Sequence, residues 1–186
     1  MRQKQVTQLL DIFQQLSAGK YSIGLVILIT ALLTSLLWWQ GCKYLPTPSS
    51  TEECKVTKIY DGDTITLQCP GKTEATKVRM YCIDTPEMGQ KPWGQQSRDY
   101  LRSITGEIAS VEKIDTDRYG RTVGVVYSQG VNLNLAQVEA GQAAVYEEYC
   151  NLPEYKVAES KAKQANLGIW AQPGLQQTPW VWRKKK

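Results

Sequence analysis

The chain has 186 residues, 42% of them apolar and 22% charged, which is enough for one packed domain with appendages and excludes global disorder. The formal net charge is +4, yet the last four residues, Arg183 to Lys186, contribute four positive charges, and residues 54 to 182 hold 14 basic against 15 acidic side chains. There is no histidine, which excludes Ser-His-Asp triads, histidine-bound metals and Cys/His zinc sites, and leaves proton transfer to carboxylates, lysine, tyrosine, cysteine or water.

Residues 21 to 39, YSIGLVILITALLTSLLWW, carry no charge. As a helix they span roughly 28 Å, close to the hydrocarbon thickness of a bilayer. Tyr21 and Trp38–Trp39 sit at the two ends, where interfacial aromatics belong, and Arg2, Lys4 and Lys20 precede the run, which favours the N-terminus inside. The expectation is an N-terminal cytoplasmic segment over 1–20, a single transmembrane anchor over 21–39 and an extracytoplasmic body. A cleaved signal peptide, giving a secreted protein, is the alternative, but the apolar run exceeds the usual length and no A-x-A-like site follows. A lipoprotein signal ending at Cys42 fits poorly with Trp39 and Gln40.

Residues 40 to 53, with their Pro/Ser/Thr-rich stretch, read as a linker, and the folded body begins near Cys54. Five cysteines in an extracytoplasmic chain imply disulfides with one thiol left over. Cys54 and Cys69 flank a hairpin turning near Asp61–Gly62 at about equal distance, so a cross-strand pair is geometrically possible. Cys82 with Cys150 is the remaining long-range pairing, and free buried thiols are the competing reading for both.

Five strand-like runs follow, at residues 55–60, 64–68, 76–83, 107–114 and 121–127, with Ile65 and Leu67 alternating with polar neighbours. Three helical patterns accompany them. Trp93, Ser97, Tyr100, Leu101 and Ile104 form one stripe. A second helix is capped by Asn132 and stops at Gly141. A third begins at Pro153 and ends before Gly168. Five short strands with a helix after the third predict an α+β domain built on a small Greek-key barrel of the OB type. The end, GLQQTPWVWRKKK (part of a tail over 173–186), either packs its tryptophans on the body with its lysines in water or frays.

Taken singly, the DGD at 61–63 is a good hairpin turn and the IDTPE at 83–87 a strand end broken by Pro86. Together they put Asp63 and Asp84 at two strand ends, with Glu87 one turn later, and hard cations favour such clusters of oxygen donors. A nearly neutral body lacks the basic stripe of a sequence-independent nucleic-acid binder, so a polyanionic substrate calls for a cation and a few placed arginines. Arg79 lies on the strand leading into the acids, opposite the face of Val78 and Met80. It reads as a structural ion-pair partner or as a phosphate contact. Arg121, after a glycine-containing turn, reads by itself as a solvated turn residue.

The segments IYDGDTI, VRMYCIDTPE and DRYGRT resemble, in this order, the three signature segments of the staphylococcal nuclease family. The similarity continues through VNLNLAQVEAGQA and NLGIW and covers roughly residues 54–172. The resemblance implies an OB-type barrel and Ca²⁺-dependent endonucleolytic hydrolysis of DNA and RNA that leaves 3′-phosphates. It implies that Asp63 and Asp84 are metal carboxylates and that Thr85 lends a backbone carbonyl. Glu87 matches the acid that positions or deprotonates the attacking water, and Arg79 and Arg121 match the phosphate-binding pair that stabilises a phosphorane-like transition state. Asp61 fills a position beside the metal, and Arg118 and Tyr119 resemble residues near a terminal phosphate. The chain departs from the family at MGQKPWGQQ, which is shorter and less basic. It departs also at Glu147 and Glu148, near a substrate-stacking tyrosine position that Tyr149 is a candidate to fill. A monomeric catalytic domain is expected, with no protein partner evident. Two other readings compete: a non-catalytic binding module, which would bind tightly without turnover, and an envelope protein whose acids bind Ca²⁺ only for stability.

Overall fold

A computed structural model describes residues 52–185, and the apolar run at 21–39 lies outside the described residues. Among the described residues no helix is long and apolar enough to cross a membrane. The strands are β1 (Glu53–Ile59), β2 (Thr64–Gln68), β3 (Thr76–Met80), β4 (Ile83–Asp84), β5 (Ile108–Thr116), β6 (Thr122–Ser128), β7 (Val131–Asn132) and β8 (Ala144–Val145). The helices are α1 (Trp93–Ile104), α2 (Leu133–Glu139), α3 (Pro153–Gln164) and a short α4 (Pro179–Lys184) within the C-terminal tail. Two 3₁₀ turns, Gly168–Trp170 and Leu175–Gln177, precede α4.

The sheet runs β3-β2-β1-β5-β6-β7, and a further parallel pairing of β3 with β6 brings its two sides together. β1, β2, β3, β6 and β5 therefore form a five-stranded closed barrel, the OB-type α+β arrangement expected. Inward positions alternate with outward ones: Ile65, Leu67, Val78, Met80 and Val126 are buried in one core with Leu101 of α1 and Leu133 and Val138 of α2. The Asn132 side chain caps α2 by accepting the Leu135 N–H at 3.0 Å. Cys54–Cys69 staples β1 to the end of the hairpin, and Cys82–Cys150 ties the end of the β3–β4 segment to the chain before α3.

One expected strand is corrected. The run 76–83 does not stay extended, because Cys82 adopts a φ of +69° and splits it into β3 and β4. A left-handed residue cannot continue a ladder. The chain turns there, and β4 leaves the barrel to pair with β8, Asp84 opposite Ala144. The peptide groups at the break are paired elsewhere: the Asn134 amide donates to the Tyr81 and Gly124 carbonyls at 2.9 and 3.1 Å, and its oxygen accepts the Val126 N–H at 2.9 Å. The break turns Asp84 back toward the β1–β2 turn.

Candidate active site

The first wall of the site is the turn between β1 and β2. The Asp61 carboxylate accepts the Asp63 N–H at 3.1 Å, an Asx turn, and the Asp63 carbonyl accepts the Met80 N–H at 2.8 Å. Gly62 is required by packing, since a Cβ there would collide with the Ser97 side chain of α1. The second wall is the β4 end. Thr85 donates both its backbone N–H and its hydroxyl to the same oxygen of Asp63, each at 2.8 Å. Asp63, Asp84 and Thr85 are all buried.

Arg79 lies between the two walls. Its guanidinium stands 3.2 Å from Asp63 and 2.8 Å from Asp84, and it donates to the Met80 carbonyl at 3.0 Å. Of the two sequence readings of this residue, the structure shows the first: Arg79 is an ion-pair partner of both acids. Its charge does not fully compensate its neighbours. Burial, and then the charge of Asp63, push Asp61 up to about 7. Asp84 is pushed up to about 6 by burial and then by Asp63, against the opposing pull of Arg79 and Arg183. Desolvated carboxylates with oxygen-only donors and no thiolate or imidazole within the turn are a fitting environment for a hard divalent cation.

Glu87 does not close a compact three-carboxylate grouping with Asp63 and Asp84. The one such grouping of acids and cysteines among the described residues is Glu52, Cys54 and Cys69, whose sulfurs are oxidised in a disulfide and offer no thiolate. Glu87 is joined to the site through a residue the sequence reading missed. Arg183, on α4, donates to both oxygens of Asp84 at 3.1 and 2.9 Å and to Glu87 at 2.8 Å. A lone arginine in a lysine-rich tail reads as solvated. The signal available was its position just after Trp180 and Trp182, since an aromatic short helix can dock and carry its neighbour inward.

Arg121 is held differently. It pairs with Asp117 at 2.7 Å inside its own turn, and Asp117 also accepts the Tyr119 and Arg121 N–H groups at 2.9 Å. Burial raises the Asp117 carboxyl, but the hydrogen bonds from Arg121 outweigh it and hold the group below the usual carboxylate range. No ion pair links Arg121 to the acidic cluster among the described residues. The β3–β6 register sets Arg79 beside Val123, so Arg121 lies two residues along, roughly 7 Å, beside the continuation toward Lys77. Lys77, Tyr119 and Arg121 line one shallow depression of about 570 Å³. Tyr119 is 69% exposed and Arg118 lies 4.8 Å from its ring, while Tyr60, also exposed, has Lys58 and Lys77 within 5.3 Å. Tyr149 is exposed beside Tyr146, ring to ring at 5.1 Å, and Glu147 and Glu148 are exposed in the same turn.

The family model described as staphylococcal nuclease homologue matches residues 77–172, more than half of the chain. An uncharacterized endonuclease of Escherichia coli is 37% identical over 134 residues, covering 71% of this chain and 85% of that protein. An uncharacterized endonuclease of Haemophilus influenzae is 34% identical over 161 residues, covering 86% of each. A micrococcal nuclease of Shigella flexneri is 37% identical over 146 residues, covering 70% of this chain and 79% of that protein. With the barrel and the Asp63–Arg79–Asp84 arrangement in place, these likenesses show that the chain belongs to the staphylococcal nuclease family and is a nuclease, a hydrolase of phosphodiester bonds.

Proposed function

We propose that this nuclease hydrolyses DNA and RNA in a Ca²⁺-dependent reaction that leaves 3′-phosphates. The observation that carries the reading is the half-buried Arg79 shared by the buried Asp63 and Asp84, two acids from separate elements. Asp63, Asp84 and the Thr85 carbonyl would hold the cation, which supplies charge neutralisation at the phosphate as water attacks. The guanidinium of Arg79 can present two N–H groups to phosphate oxygens, a geometry a lysine does not offer. Arg121 supplies the second such contact on leaving Asp117, a local pair formed by an already turn-held residue. Glu87 assists the attack of water on the phosphate. Arg118 and Tyr119 receive the neighbouring phosphate, and the exposed Tyr149 offers a stacking face.

The test is digestion of DNA and RNA by the full-length protein with Ca²⁺ and with chelator, followed by end-group analysis. Loss of cleavage in chelator and 3′-phosphate ends are expected. Cleavage that survives chelation, or 5′-phosphate ends, would refute the mechanism while leaving the family intact.

We further propose that the nuclease is a monomer anchored by residues 21–39, with its body outside the cytoplasm. The two disulfides support the placement of the body outside the cytoplasm, since they persist in oxidising compartments. The protein is expected to stay with membranes through a high-salt, alkaline wash; quantitative release would rule out the anchor.

A further inference from the structure

We propose that Arg183 competes with the cation for Asp84 and so sets the concentration at which the acidic cluster fills. The proposal rests on the reading that Asp84 is a cation ligand.

The two guanidinium nitrogens of Arg183 cover both oxygens of Asp84, at 3.1 and 2.9 Å, while Arg79 takes one of the same oxygens at 2.8 Å. Asp84 is fully buried, so its outward edge has few directions from which to accept a ligand. A cation bound there would share those oxygens with a positive group of the same sign. Binding at Asp84 and the Arg183 pair are therefore antagonistic, and linkage makes the antagonism reciprocal.

The contact is built rather than incidental. Trp180 stacks on Tyr146 with ring centroids 5.3 Å apart and planes 18° apart, and Pro179 is buried. Gln90 accepts the Glu87 N–H at 2.9 Å and donates to the Leu175 carbonyl at 3.0 Å. One glutamine thus ties the Glu87 loop to the segment that carries Arg183. Burial lowers the Arg183 pKa, but the hydrogen bonds it donates to Asp84 and Glu87 outweigh that and hold it above the ordinary value, so it stays charged at any working pH. The Arg183 side chain is 40% exposed, leaving it room to withdraw. Three carboxylates, Asp63, Asp84 and Glu87, share two guanidiniums here, and the arrival of a divalent cation makes the second one redundant.

The test is calorimetric titration of the full-length protein, in mild detergent, with CaCl₂. Arg183→Gln is expected to bind Ca²⁺ about tenfold more tightly than the unmodified protein, within the usual range of coupling between two sites. Arg183→Lys should fall between them, because one ammonium cannot cover both Asp84 oxygens. In ¹⁵N NMR the Arg183 Nε–H signal, identified by its absence from Arg183→Gln, should move as Ca²⁺ is added. A merely structural arginine would leave the affinity unchanged or lowered on removal. Unchanged or weaker binding by Arg183→Gln, or a signal that stays fixed through saturation, overturns the proposal and leaves the Ca²⁺ reading standing. No Ca²⁺ binding by either protein overturns both.

Discussion

Arg79 and Arg121 are matched to the same task by sequence, yet the fold treats them oppositely. Arg79 is held by two carboxylates that the barrel brings together from 16 and 5 residues away, and its side chain is 17% exposed. Arg121 is held by one carboxylate four residues away, within a single turn, and is 25% exposed. The first arrangement exists only when the tertiary structure exists. The second is local and is released at small cost. An arginine fixed by the fold supplies a preorganised contact, and one fixed by its own turn can exchange partners when a phosphate arrives.

Three substitutions test this contrast. Arg79→Ala should produce the largest effect, a fall of about 100- to 1000-fold in rate. It should also lose about 3 kcal/mol of stability in chelator, because Asp63 and Asp84 are left buried without their shared partner. Added Ca²⁺ should restore much of that stability, as thermal unfolding with and without the ion would reveal. Equal unfolding curves for variant and parent in chelator would remove the distinction between the two arginines.

Arg121→Ala is expected to cost about 100-fold in rate and less than about 1 kcal/mol of stability, since the lost pair is local. Kinetics alongside denaturant melts would separate the two quantities. A stability loss matching that of Arg79→Ala would show that the Asp117 turn supports the barrel.

Asp117→Asn should have the smallest effect, a rate change within about threefold. Its clearer signature lies in acid. The Asp117 carboxyl is lowered in the folded state, so its contribution to stability is fully present above the unfolded carboxylate pKa and is lost as pH falls through the folded value. The variant should lose that segment of the acid dependence. An identical pH–stability curve would mean that the pair contributes nothing.

Much of the fold was legible in the sequence because each signal was local. Alternation at Ile65 and Leu67 gave β2, the stripe from Trp93 to Ile104 gave α1, and Pro153 opened α3 where the structure has it. The break at Cys82 was not legible, because 76–83 is apolar and polar in a strand-like order throughout. What reverses the chain there is a positive φ, a pairing of β4 with β8 sixty residues on, and Asn134 at the freed peptide groups. The acids and Arg79 could be singled out because they sit on motifs at strand ends. Arg183 could not, since its partners lie 96 and 99 residues earlier and three lysines follow it in sequence. Solvation is the better guess for such a residue until the docking of Trp180 is known.

The closeness of α1 and α2 to the Asp61–Asp63 turn bears on how the protein tolerates change. Gln137, buried on α2, donates to the Gly62 carbonyl and, at 3.2 Å, to the Ser97 carbonyl, and Ser97 fills the space a Cβ at Gly62 would take. The backbone that carries Asp63 is thus set by two interior residues that need touch no substrate. In a mutational scan Ser97 and Gln137 should behave as active-site positions, losing turnover under substitutions that the barrel survives.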